Sequence, residues 1–215
     1  MERELLDVKR RVLGPEHPST LTTIGNLAAS LIGQGKHAEA MQMLAKLLDV
    51  HRRVLGPEHP STLATMSDLA NSLAGQGKHV EAEQMERKLL DVRRRVLGPE
   101  HPSTLTTIGN LGCSLHGQGK HVEAEQMQRE LLGVQRRVLG PEHPGTLSTM
   151  NNLAFSLNGQ GKRAEAEQEF RELHDVLRRV LGPEHPSTLA IVSNLASLDG
   201  VRDSPLTRGH RREHP

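Results

Sequence analysis

The chain is nearly without aromatic residues: Phe155 and Phe170 are the only two phenylalanines, and tryptophan and tyrosine are absent from its 215 residues. Phe, Tyr and Trp bury the largest area per side chain. The core must therefore be assembled from Leu, Ala, Val, Ile and Met, and a thin core with modest stability per segment is expected. An excess of one charge is missing too. Lys and Arg total 27 against 26 Asp and Glu, a formal net charge of +1, which leaves no electrostatic footprint for nucleic acid or an anionic membrane. The lone cysteine, Cys113, closes no internal disulfide and fits a reducing compartment, so the cytoplasm is the expected location. Residues 1–11 are charged, with no apolar run long enough for a signal peptide or a membrane span.

What the chain has in quantity is one pattern. Gly-Pro-Glu-His-Pro begins at Gly14, Gly56, Gly98, Gly140 and Gly182, each 42 residues after the last. The intervening stretches are copies as well: 14–55 and 98–139 differ at ten of their 42 positions. A fixed period in this range signals stacked supersecondary units. The units run 14–55, 56–97, 98–139 and 140–181. Residues 1–13 match the last part of a second helix, 182–198 form a half repeat, and the polar, basic stretch 199–215 is expected to be disordered. Neither end has the polar outer face of a capping unit, which suggests a fragment of a longer array or a shortened gene product and leaves self-association through the uncapped ends open.

Each unit reads as two helices. Gly-Pro stops the preceding helix. Pro60 then suits a first helical position, with Ser61 or Thr62 placed to cap free N–H groups over a helix at about 61–74. In the equivalent 19–32, Leu21, Ile24, Leu27, Ala28 and Leu31 form the buried stripe, and Thr22, Gly25, Asn26 and Ala29 lie opposite. Gly75-Gln76-Gly77-Lys78 turns the chain; it lacks the spacing and preceding strand of a phosphate loop. A second helix at about 79–97 carries the stripe Ala82, Met85, Leu89, Val92 and Val96. Acid-before-base pairs four apart, such as Asp49/Arg53 and Asp91/Arg95, place its other face in solvent.

Asn26-Leu27-Ala28, Gln34-Gly35-Lys36, Glu39-Ala40 and the following Val54-Leu55-Gly56-Pro57-Glu58-His59-Pro60 resemble the kinesin-light-chain type of tetratricopeptide repeat. The resemblance covers residues 1–198. It implies an all-α, right-handed superhelical solenoid of antiparallel helix pairs. The function it implies is a non-enzymatic scaffold that binds a peptide or protein in a concave groove lined by the first helices. It also admits the sensor portion of a signalling ATPase whose catalytic domain lies outside this chain. The third reading is a decayed repeat fragment without a selected ligand. Where the family often has an aromatic after Gly-Lys, this chain has His37, His79 and His121, and Arg163 in the fourth repeat. Glu86 and Gln128 stand where Leu44 and Phe170 are apolar, so repeats two and three are expected to pack less well.

The groove residues follow from the exposed face of the first helices. Asn26, Asn110, Asn152 and Asn194 form an amide ladder interrupted by Asp68, while Asn71, Asn151 and Phe155 vary the wall. An asparagine offers both a donor and an acceptor to an extended peptide backbone, or else to a neighbouring helix. The first helices carry no Lys or Arg, so a clamp for a terminal carboxylate is not expected. The histidines recurring once per repeat are spaced too far apart to share a metal ion and read as loop or helix-cap residues. No cofactor and no catalytic constellation is expected.

Overall fold

The computed structural model describes residues 2–200. They form α1 (Glu2–Leu13), α2 (Pro18–Gly33), α3 (His37–Val54), α4 (Pro60–Gly75), α5 (His79–Val96), α6 (Pro102–Gly117), α7 (His121–Val138), α8 (Pro144–Gly159), α9 (Arg163–Leu181) and α10 (Pro186–Gly200). The chain divides into two compact units, one through Lys120 holding α1–α6 and one from His121 holding α7–α10. In each unit every helix packs against the next, and α2 and α6 also touch α4. The all-α class and the sequential packing of helices are as the sequence predicts. Of the stretch 199–215 expected to be disordered, Asp199 and Gly200 belong to α10, and the rest lies outside the described residues. No helix among the described residues is long and apolar enough to cross a membrane.

Gly-Pro-Glu-His-Pro is a helix-starting device. Its glycine sits at φ 93–95° in all five copies, left-handed backbone that a side chain would strain. The Gly56 carbonyl accepts a hydrogen bond from the Thr62 hydroxyl at 2.8 Å, and the same bond recurs at Thr20, Thr104, Thr146 and Thr188. The cap itself differs from the sequence expectation. His59, not Ser61 or Thr62, caps α4: its Nδ1 accepts from the Ser61 N–H at 3.2 Å. His17, His101, His143 and His185 do the same. The serine backbone is the donor here, so its side chain is not the cap.

Two further expectations are corrected. Arg53, Arg95 and Arg179 do not pair with the aspartates four residues back; they reach Glu16, Glu58 and Glu142 of the Gly-Pro-Glu-His-Pro segment. The fold brings the start of a repeat's first helix against the last turn of its second, and a loop carboxylate is closer than an intrahelical one. The buried arc of the second helix is also wider than one stripe. Ala82, Leu89 and Leu90 are buried, but so are Glu83, Glu86 and Arg93, whereas Val96 is 45% exposed. Because α5 packs on both α4 and α6, burial spans two contacts, and no valine enters the core of the described residues.

The Gly-Gln-Gly-Lys turn has a structural task. Gln118 Nε2 and Lys120 Nζ donate to Glu83 Oε2 at 2.7 and 2.8 Å, and Arg87 Nε donates to its Oε1 at 2.9 Å. Lys120 above all holds the Glu83 carboxyl down at about 2 against the opposing effect of burial. Gln160, Lys162 and Arg129 repeat the arrangement around Glu125. The first glycine of the turn is fixed by a close approach: a Cβ on Gly117 would lie 2.6 Å from the His79 ring, and one on Gly75 would lie 2.5 Å from His37. Gly117→Ala should therefore cost about 1–3 kcal/mol in a urea titration. His79→Ala in the same chain should recover most of that loss. Equal costs with and without the imidazole would show that the ring does not set the requirement.

Candidate functional site

The first helices expose the face anticipated from the sequence, and the second helices form the floor beneath it. In the first unit α2, α3 and α4 enclose an open depression of about 530 Å³. Asn26 and Asp68 stand on its two sides, and Leu47 and His51 lie at its base. In the second unit α8, α9 and α10 enclose the counterpart of about 570 Å³, with Asn151 and Asn194 on its walls and Leu173 and Leu177 at its base. A third depression, of about 370 Å³, lies against Phe155, Phe170 and Asn194. Phe155 is 36% exposed and meets Phe170 edge to face with ring centroids 5.3 Å apart.

The candidate residues do not all face open space. Asn26, Asn151 and Asn194 make no side-chain hydrogen bond among the described residues and line depressions. Asn110 is committed to a neighbour: its Nδ2 donates to Asn71 Oδ1 at 2.8 Å, joining α6 to α4. For that pair the structure shows the helix-bridging role of an asparagine. Asn152 lines none of the three depressions; with the Gln128 amide oriented as its neighbours require, nitrogen inward, the Asn152 backbone carbonyl accepts from it at 3.3 Å. Asp68 is half-buried, and burial pushes its carboxyl above the usual range despite the opposing field of Arg93.

The floor residues are what sequence reasoning missed. Lys9, His51 and Arg93 are equivalents, each 42 residues apart, and each reaches the threonine 14 residues further on. Lys9 Nζ donates to Thr23 Oγ1 at 2.9 Å. His51 Nδ1 and Thr65 Oγ1 are 3.0 Å apart; the Thr65 hydroxyl donates to the Ser61 carbonyl, so His51 carries its proton on Nδ1. Arg93, 7% exposed, donates to Thr107 Oγ1 at 2.6 Å and to the Ser103 and Leu63 carbonyls. The wall of first helices does lack Lys and Arg, but the second helices bring basic side chains up against it. Burial, aided by the His59 ring, holds the His51 imidazole below its ordinary value, so it is neutral near pH 7. At the fifth register the pair becomes Leu177 and Ile191, donor and acceptor replaced together by apolar groups. That paired change is the signal the sequence held.

Comparison with known proteins agrees with this geometry. A family model described as tetratricopeptide repeat matches residues 3–50, 24–94 and 69–137, and a second model of the same description matches 146–187. Among solved structures, the chain is similar to a putative kinesin light chain with nearly identical TPR-like repeats from Podosopora anserina. The two are 26% identical, with 83% of this chain and 84% of that chain covered and a TM-score of 0.70. BtubC (BKLC) from P. vanneervenii is 17% identical over 100% of this chain and 92% of its own, at a TM-score of 0.59. The apo form of RapI is 13% identical over 85% and 69%, at 0.65; at such identities the likeness concerns the fold. No curated protein matches the chain.

Proposed function

The chain belongs to the tetratricopeptide-repeat family, and from that premise we propose that it is a non-enzymatic scaffold binding an extended peptide or protein segment along its first helices. Repeats of this family generally mediate protein–protein interaction. The observation that carries the reading is the set of uncommitted amides. Asn26, Asn151 and Asn194 offer a donor and an acceptor each beside depressions floored by leucine. A ligand backbone satisfies both groups of such an amide while its side chains fill the space between helices.

An array of short random-sequence peptides tests it. The chain should capture a reproducible subset, and Asn26→Ala together with Asn194→Ala should weaken that subset by about tenfold per lost amide pair. Asn110→Ala is the contrast. It loses the bridge to Asn71, so it should lower stability while leaving the captured subset unchanged. Capture of no peptide, or the same subset by the Asn26/Asn194 variant at equal strength, overturns the reading.

A further inference from the structure

We propose that the depression between α2 and α4 is a subsite for a basic side chain, lysine or arginine, of the bound segment. The inference rests on the reading of the first-helix wall as a peptide site, and it names the chemistry of one position in it.

Asp68 is the one acidic rung in a ladder otherwise built of asparagine. It lines the 530 Å³ depression and takes no hydrogen bond or ion pair from any described side chain. The other charged or titratable groups around it are already engaged. Glu16, at the rim, is held by Arg53. His51, on the floor from α3, is neutral and bound to Thr65. His59 uses its Nδ1 to cap α4. Arg93, from α5, acts on Asp68 only through its longer-range field, because its guanidinium donates to Thr107 and to the Leu63 and Ser103 carbonyls. The carboxylate is therefore partly desolvated with no donor in contact. A neutral donor would leave that charge uncompensated, whereas an ammonium or guanidinium forms the shorter, stronger charge-assisted bond. The remainder of the depression suits the rest of such a side chain: Leu21, Ala29, Leu47 and Ala64 give an apolar bed for the methylene stem of lysine or arginine.

The second unit supplies an internal comparison. Its depression shares most of its lining positions with the first, with Leu177 for His51, Ile191 for Thr65, Asn194 for Asp68 and Asn151 for Gly25. The first three changes remove polarity or charge, and the fourth adds a neutral amide without a charge. One scaffold geometry thus occurs once with an acidic rung and once without, and a preference for a cation belongs to the first alone.

The same peptide array reads this separately from the groove proposal. Peptides captured by the wild-type chain should be enriched in Lys and Arg, and the basic members should lose roughly fivefold or more on Asp68→Asn, the gain of a favourable ion pair. Neutral members should be retained. Asparagine occupies the equivalent position in the three other repeats and in the half repeat, so Asp68→Asn is expected to fold. Basic peptides should also weaken as salt is raised. A captured set with no enrichment in basic residues, or an enrichment that survives Asp68→Asn, overturns the cation subsite and leaves the groove reading standing. Capture of no peptide at all removes both.

Discussion

Glu86→Gln should stabilise the chain by about 3 kcal/mol near pH 8 and by much less near pH 5. Glu86 is 2% exposed on α5, and neither carboxylate oxygen has a hydrogen-bond partner. Burial pushes its carboxyl up to about 7; the neighbouring Ser114 hydroxyl, though outside hydrogen-bond geometry, works against the rise and the Glu83 carboxylate adds to it. An acid raised in the folded state binds its proton there over a range where the unfolded chain has already released it. The wild-type chain is therefore most stable below the unfolded value of 4.5, loses stability as pH climbs to about 7, and is level above that. Asp68 and Glu169 are shifted upward as well, so the informative quantity is the difference between wild type and variant, in which their contributions cancel.

Glutamine at this position has a native precedent. Gln128 stands 42 residues on, and its amide nitrogen, turned inward, donates to Ser156 Oγ at 2.9 Å and to the Ala124 and Asn152 carbonyls at 3.3 Å. Ser156 is the equivalent of Ser114, whose hydroxyl has no partner beside Glu86. The variant should recover that set of bonds. Urea titrations at the two pH values decide it: a wild-type-minus-variant difference independent of pH would mean that the Glu86 carboxyl ionises as readily in the folded chain as in the unfolded one, so that burial does not raise it.

How much of this was legible in the sequence depends on how far apart the interacting residues are. The 42-residue period, the helices and the exposed face of α2 follow from spacing of a few residues, and the structure places them accordingly. Glu86 and Gln128 were legible as misfits because the register aligned them with Leu44 and Phe170. The histidine caps were half legible: a loop or cap role was expected for them, yet the capping atom was assigned to serine or threonine. What the sequence hid are contacts across 14 to 39 residues. Arg93 to Thr107, Glu83 to Lys120, Arg95 to Glu58 and Asn110 to Asn71 are of this kind. A hydropathy pattern within one helix shows a single apolar stripe, so charged residues beside it read as solvated. Only comparison of the repeats with one another, where Leu177 and Ile191 replace a polar pair, exposes such partners.

Phe170→Ala should be the most damaging single substitution in the second unit, at about 3–5 kcal/mol. Phe170 is 1% exposed and belongs to the cluster with Leu153, Leu157, Leu173 and Leu198. Part of the loss is the edge-to-face contact with Phe155, worth about 0.5–1.5 kcal/mol beyond area. Phe155 is more exposed, so Phe155→Ala should cost about 1–2 kcal/mol, and the double variant should lose less than the two singles together. Phe170→Leu, the residue found at Leu44, should cost no more than about 1.5 kcal/mol because the position accepts leucine in the first repeat. Hydrogen exchange gives the readout: amides of α8 and α9 should lose protection in Phe170→Ala and largely keep it in Phe170→Leu. Equal losses for both variants would show that leucine fits this position no better than alanine, and that the interchange of side chains along the repeats depends on changes elsewhere in each unit.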